Sequence, residues 1–243
     1  MTVGMKLTTI IVALASCAGI AHAADMPTKA PNSFLAGYPY GGSGVYFGIY
    51  TEGGGGSVNG SVPGVGSASL TTNSADVGGS VGYVWASSKY PAFIAVEGMF
   101  GWTNFNGNAQ GFSLSGPASF EQRFLVGTPL ANFLSFLPNL NLGTVAPFPV
   151  LPNGATVTNA HPYLMAALHE QDISINFGGL ASNREWRVAP AIGLGMMGQL
   201  TNGVAIDAWV ETIFPDKAIC IGPVANACAG LGQQVKAGLS FKY

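Results

Sequence analysis

From Val235 to Tyr243 the chain alternates strictly, with Val235, Ala237, Leu239, Phe241 and Tyr243 on one side and Gln234, Lys236, Gly238, Ser240 and Lys242 on the other. Period two is the strand period, because successive side chains on an extended backbone point to opposite faces. The same alternation predicts seven more strands. Strand one, 44–53, sets Val45, Phe47 and Ile49 against Tyr46, Tyr50 and Glu52. Strand two, 75–86, sets Val77, Val81, Tyr83 and Trp85 against Gly78, Ser80 and Gly82. Strand three, 92–103, sets Ile94, Val96, Phe100 and Trp102 against Ala95, Glu97 and Thr103. Strand four, 118–127, has Phe120, Phe124 and Val126 opposite Glu121 and Arg123. Strand five, 161–178, has Met165, Ala167, Ile173, Ile175 and Phe177 opposite Glu170, Asp172, Ser174 and Asn176. Strand six, 184–200, has Trp186, Val188, Ile192, Leu194 and Met196 opposite Glu185, Arg187, Gly193, Gly195 and Gln199. Strand seven, 204–214, has Val204, Ile206, Ala208 and Val210 opposite Asp207, Trp209 and Glu211. Pro190 donates no ladder hydrogen bond and predicts a bulge, while Asn202-Gly203 predicts a hairpin turn.

Composition decides what the apolar rows face. Only 8% of the residues are charged while 48% are hydrophobic, and mean hydropathy is +0.36. Soluble domains carry roughly 25% charge. Beyond the N-terminus no apolar run reaches the length of a membrane helix. Lipid tolerates only helices and closed barrels, so the apolar residues are dispersed through alternating strands. The predicted fold is an eight-stranded antiparallel transmembrane β-barrel, up-and-down, with greasy rows outward and polar rows inward. The 35 glycines agree, being costly in helices. A pI near 5.8 and scarce Lys and Arg argue against nucleic acid.

The termini and connections read as follows. Residues 1–23 form an export signal, with Lys6 before an apolar stretch from Leu7 to Leu14 and a small-x-small cleavage site at Ala21-His22-Ala23. A competing lipobox reading, Leu14-Ala15-Ser16-Cys17, puts a lipid on Cys17. Residues 24–43 are an extended Pro- and Gly-rich leader, and 44–243 the barrel. Residues 53–74 read as a loop; the glycine run 53–56 lacks the Lys-Ser/Thr pair of a phosphate loop. A long irregular insertion is predicted at 104–160, apart from strand four. It includes a short helix within 128–142 and a Pro-rich loop over 143–160. This long connection falls on the short-turn side of the barrel, against the usual asymmetry.

Eight acids, Glu52, Glu97, Glu121, Glu170, Asp172, Glu185, Asp207 and Glu211, fall on or beside the faces read as inward, with Arg123, Arg187 and Lys236. This makes either a narrow acidic conduit favouring cations or an ion-pair network that fills the lumen. Eight strands leave room just for side chains, which favours the network. His161 and His169 are the only histidines after the signal. His169 falls on the outward parity, and no nucleophile elbow or paired ligand accompanies either one. No catalytic, cofactor-binding or metal-ligating residue is therefore assigned. Cys220 and Cys228 form a disulfide in an oxidising compartment or, less readily, two ligands of a metal lacking others.

The leader ADMPTKAP, the strands GVYFGIYTEGGG, SVGYVWA and AFIAVEGMFGWTNF, and the terminal GLSFKY resemble the small outer-membrane β-barrel proteins of alpha-proteobacteria. These are the outer-membrane immunogenic or opacity-type porin family, similar to the barrel half of OmpA. The resemblance implies an envelope protein without enzymatic activity or cofactor. Phe241-x-Tyr243 is similar to the aromatic-ended signal read by the barrel-assembly machinery, which implies that partner along with outer-membrane lipid. Oligomeric state is not legible. The alternatives are a narrow cation-preferring porin, an outer-leaflet lipid hydrolase and a soluble secreted β-sandwich.

Overall fold

Alternating rows close on themselves. The computed structural model describes residues 43–62, 66–86, 92–109, 112–130, 133, 157–177, 181–200, 204–215, 218–221 and 227–243. These form β1 Gly44–Val62, β2 Gly66–Ala86, β3 Phe93–Ala109, β4 Phe112–Gly127, β5 Val157–Phe177, β6 Ala181–Leu200, β7 Ala205–Ile213, β8 Ile219–Ile221 and β9 Ala227–Lys242. Each pairs antiparallel with its neighbour in the order β1-β2-β3-β4-β5-β6-β7-β9, and β9 pairs with β1 to complete the ring. Eight strands thus make a closed barrel, as the alternation predicts. The three-residue β8 is an addition beside the upper part of β9. Both ends of the ring, Phe47 and Tyr243, exchange backbone hydrogen bonds of 3.0 and 2.7 Å.

The strands are longer than predicted at one end, opposite the termini, called the upper end below. Residues 53–62 and 66–74 are not a loop but the continuation of the β1–β2 ladder, paired in register from Gly44↔Val84 to Val62↔Gly66. Residues 104–109 and 112–117 likewise extend β3 and β4, and 157–160 extend β5 at its opposite end. The irregular insertion at 104–160 therefore shrinks to the connection 128–156. Its described part opens with a helical turn, Phe133 N donating to Pro129 O at 3.0 Å; the rest lies outside the described residues. So do 1–42 and the Asn202-Gly203 turn. The connection leaves β4 at the end where both termini of the barrel lie, as expected.

The reason for the upper extensions lies in the side chains. Along β3 the outward row runs Ile94, Val96, Phe100, Trp102 and then Asn104, Asn106, Asn108. Along β5 it runs Leu164, Ala166, Leu168 and then Glu170, Asp172, Ser174 and Asn176. Inside, the order is opposite. The lower lumen holds the charges, and the upper lumen holds a buried apolar cluster of Val58, Leu70, Phe105, Leu114, Ile173, Ile175 and Ala229. The barrel has two storeys: greasy outside and charged within below, polar outside and greasy within above. Hydrophobic burial holds the upper storey, as in any water-exposed sheet.

This inversion corrects strand five. Met165, Ala167, His169, Gln171, Ile173 and Ile175 point inward, while Glu170 and Asp172 lie on the outer wall. Ile173 and Ile175 are inward because they belong to the upper storey. Asp172 is buried under Arg184, which forms a bidentate pair with it. Pro190 also differs from expectation, since β5 and β6 pair through Leu168↔Pro190 without a shift. Its carbonyl accepts from Phe214 N at 2.8 Å, so its missing N–H faces the side where the ladder to β7 ends at Ala191↔Ile213.

Candidate functional site in the barrel lumen

The lower storey offers an exposed belt outside and a packed polar interior inside. In the belt, Phe47 is 62% exposed, Trp102 68%, Leu164 71% and Leu194 63%. Trp85 marks the lower rim, with its ring 4.6 Å from that of Tyr83. Trp102 and Trp186 mark the upper rim, and Tyr243 closes the C-terminus. Among the described residues no helix is long and apolar enough to cross a membrane.

Inside, the charges fall into two groups. The lower one is built on Lys242 of β9, whose Nζ lies 2.9 Å from Glu97 Oε1 and donates to Asp207 Oδ2 at 2.8 Å. Tyr163 donates its hydroxyl to the other Asp207 oxygen at 2.7 Å. Lys242 also stands 5.2 Å from the Tyr46 ring. The upper group joins six strands. Lys236 Nζ of β9 donates to Glu52 Oε1 of β1 at 2.7 Å and Asp76 Oδ2 of β2 at 2.5 Å. Arg123 of β4 donates through Nε to Glu121 Oε1 at 2.5 Å, and its guanidinium lies 4.1 Å from the centre of the Trp209 ring on β7. His169 of β5 sits between them, Nε2 3.5 Å from Lys236 Nζ and Nδ1 3.6 Å from Glu121 Oε2. Glu211 of β7 completes the group, 3.8 Å from Arg123.

Backbone sequence makes this packing possible. The glycine run on β1 is wall, not loop. A Cβ on Gly54 stands 2.8 Å from Lys236 Cγ, and one on Gly56 stands 2.8 Å from Gln234 Cγ. The side chains of β9 thus lie flat on bare backbone. Gly238 does the same for Trp209, whose indole occupies the space of its missing Cβ.

Of the residues read as inward, Glu52, Glu97, Glu121, Arg123, Asp207, Glu211 and Lys236 line the lumen and are almost wholly buried. Glu185 and Arg187 pair with each other, half-buried, at the level where β7 has ended. His169 turns from the predicted outward side to the centre of the upper group. Asp76 was overlooked, although it shares the parity of Ser80 and Gly82 on β2. Six carboxylates, Glu52, Asp76, Glu97, Glu121, Asp207 and Glu211, thereby face three basic side chains, Arg123, Lys236 and Lys242. Cys220 and Cys228 are bridged directly across the β8–β9 pair, with Cα atoms 4.1 Å apart.

No family model and no curated protein matches the chain. Among solved structures it is similar to Neisserial surface protein A, with 16% identity over 82% of this chain and 99% of that one and a TM-score of 0.38. OprG from Pseudomonas aeruginosa gives 10% identity over 85% and 99%, with a TM-score of 0.45. Ail, the attachment invasion locus protein of Yersinia pestis, gives 10% identity over 81% and 98%, with a TM-score of 0.32.

Proposed function

We propose that this chain is an integral outer-membrane β-barrel protein with a structural or surface role in a bacterial envelope. It is exported by residues 1–23 and placed in the membrane by the barrel-assembly machinery through its C-terminal strand. One observation carries this reading: a continuous outward belt from Phe47 to Trp102 to Leu194 is exposed and apolar, while the charged side chains at its level are enclosed. A monomeric soluble protein rarely exposes an apolar patch beyond a few hundred Å². An outward apolar band flanked by aromatic residues is the signature of a lipid-facing barrel. The interior supports a structural role, because paired side chains occupy the lower lumen and a greasy cluster occupies the upper one.

The test is electrophoretic. Detergent-extracted membranes run unboiled show a band displaced from the boiled one, and alkaline washing leaves the protein in the membrane. Equal mobility together with release by alkali would overturn the reading. A narrow cation-preferring pore is the second reading, favoured by the excess of lumen carboxylates over fixed cations. Planar-bilayer recording separates the two: reproducible cation-selective steps reduced by Glu97→Ala or Asp207→Ala establish the pore, and silence establishes the filled barrel. Lipid hydrolysis is the least supported, since His169 faces Lys236 and Glu121 inside the barrel rather than lipid.

A further inference from the structure

The upper charge group contains acceptor atoms that its own cations do not use. Glu52 spends Oε1 on Lys236, but its Oε2 accepts no hydrogen bond. Neither carboxylate oxygen of Glu211 accepts one, although the side chain is fully enclosed. His169 Nδ1 makes none either. Arg123 does not meet this demand. Its guanidinium is held by both oxygens of Glu121, Nε donating to Oε1 and Nη2 to Oε2 at 3.2 Å, and stacked on Trp209, which leaves Nη2 at 3.6 Å from Glu52 and 3.8 Å from Glu211. The last two distances exceed hydrogen-bonding range.

The unused atoms of Glu52, Glu211 and His169 converge, together with an oxygen of Glu121 that already accepts from Arg123. One ligand atom each from Glu52, Glu121, His169 and Glu211 lies within 4.8 Å of all the others, on four different strands of a closed wall. Around them four carboxylates, Glu52, Asp76, Glu121 and Glu211, meet the two fixed positive charges of Arg123 and Lys236. Fully ionised and with a neutral imidazole, the group would carry two surplus negative charges, and buried charge without compensation is costly. A divalent cation supplies the missing charge and gives the orphaned oxygens and nitrogen a partner.

We infer that Glu52, Glu121, His169 and Glu211 form a divalent-metal site inside the barrel. Three carboxylates with one imidazole suit a transition ion such as zinc or manganese, and the imidazole disfavours magnesium. Binding requires the four ligand atoms to contract by about 1 Å to reach metal–ligand distances near 2.0–2.2 Å. Lys236 stays with Glu52 Oε1 and Asp76, and the His169 Nε2–H turns from it. Access is short. Where β7 stops, a cavity of about 20 Å³ runs from His169 past Gln171 and Gln234 to Arg187 and Pro215. That is room for about one water molecule. The site then braces four strands at the level where the lumen changes from charged to apolar.

The full-length barrel is folded in detergent with zinc or manganese, passed over a desalting column and analysed for metal against protein. Folding is scored separately by the boiled-versus-unboiled gel shift, so a variant that fails to fold is recognised. The expected result is one equivalent of zinc or manganese per folded barrel and none of magnesium. Retention falls about tenfold or more in Glu211→Gln and in His169→Ala, and is unchanged in Glu97→Gln of the lower group. X-ray absorption at the metal edge shows mixed oxygen and nitrogen ligation that loses nitrogen in His169→Ala. Folded barrel that retains no metal, or retains as much in Glu211→Gln as in the parent, overturns the inference and leaves the surplus charge to protons. A barrel that shifts on the gel without metal leaves the membrane reading standing by itself.

Discussion

Arg123 lies against the Trp209 ring at 4.1 Å while donating to Glu121 Oε1 at 2.5 Å, so one enclosed cation is fixed by an aromatic face on β7 and a carboxylate on its own strand. Both partners matter because neither has water to fall back on. Replacing Arg123 by Met strands Glu121 inside the wall. The expected loss is about 3–5 kcal/mol, read from urea unfolding of the detergent-folded barrel. Arg123→Met combined with Glu121→Gln recovers part of that loss, because no unpaired charge is then left behind. Equal losses in the single and double variants would show that the pair is not coupled.

The two storeys respond differently to the same charge. Ile192 points outward in the belt at 59% exposure, whereas Asn106 points outward in the upper storey. Ile192→Lys should cost about 2–4 kcal/mol in a bilayer, the range for a cation on the lipid face near the midplane. Asn106→Lys should cost less than about 0.5 kcal/mol, as for a wet surface. Unfolding from liposomes measures both, and similar costs for the two would mean that the belt does not meet lipid.

Phe105 is the large side chain in the upper apolar cluster, 2% exposed and inward between Asn104 and Asn106. Phe105→Ala should lose about 3–5 kcal/mol of local stability. Hydrogen exchange should rise along 53–62, 66–74, 104–109 and 112–117, while the amides of 94–102 stay protected. Uniform loss of protection would show a single cooperative unit instead.

The Cys220–Cys228 bridge closes a separation of 8 residues and ties β8 to β9. On the chain-entropy scale a loop of that size contributes about 2–3 kcal/mol. Cys228→Ser should therefore loosen the β8–β9 pairing of 219–221 with 227–229 and leave intact the β7–β9 ladder and the β1–β9 ladder from Gln234 to Lys242. Protease mapping with and without reductant checks this, with cleavage confined to that segment as the expected outcome.

The ring itself was readable because the lower storey is a simple case. Ile49 against Tyr50, Val210 against Glu211, and Leu239 against Lys236 and Ser240 all sort by the rule that grease faces out. The upper storey was not, for a physical reason. Hydrophobicity reports burial, and what counts as buried reverses when the surroundings change from hydrocarbon to water. Ile173 and Ile175 look identical in sequence to belt residues, and only the partners of β5 show that they face Leu114 and Phe105. Pattern alone also merges a glycine run with a loop: Gly54 and Gly56 have no side chain to alternate, and their role is visible only once Lys236 and Gln234 lie on them. His169 shares the misleading parity of its strand, so the pattern alone leaves the upper charge group without an imidazole. Pairing such as Lys236 with Asp76, 160 positions apart, has no local trace at all.

The changeover at Ile49 to Thr51, Val77 to Ala75, Trp102 to Asn104 and Leu168 to Glu170 falls at neighbouring rungs of paired strands. A barrel marked in this way carries its own waterline. On the membrane reading proposed above, sinking by two residues drags asparagine and glutamate into oil, and rising by two lifts leucine and tryptophan into water. Depth would then be written into the wall itself.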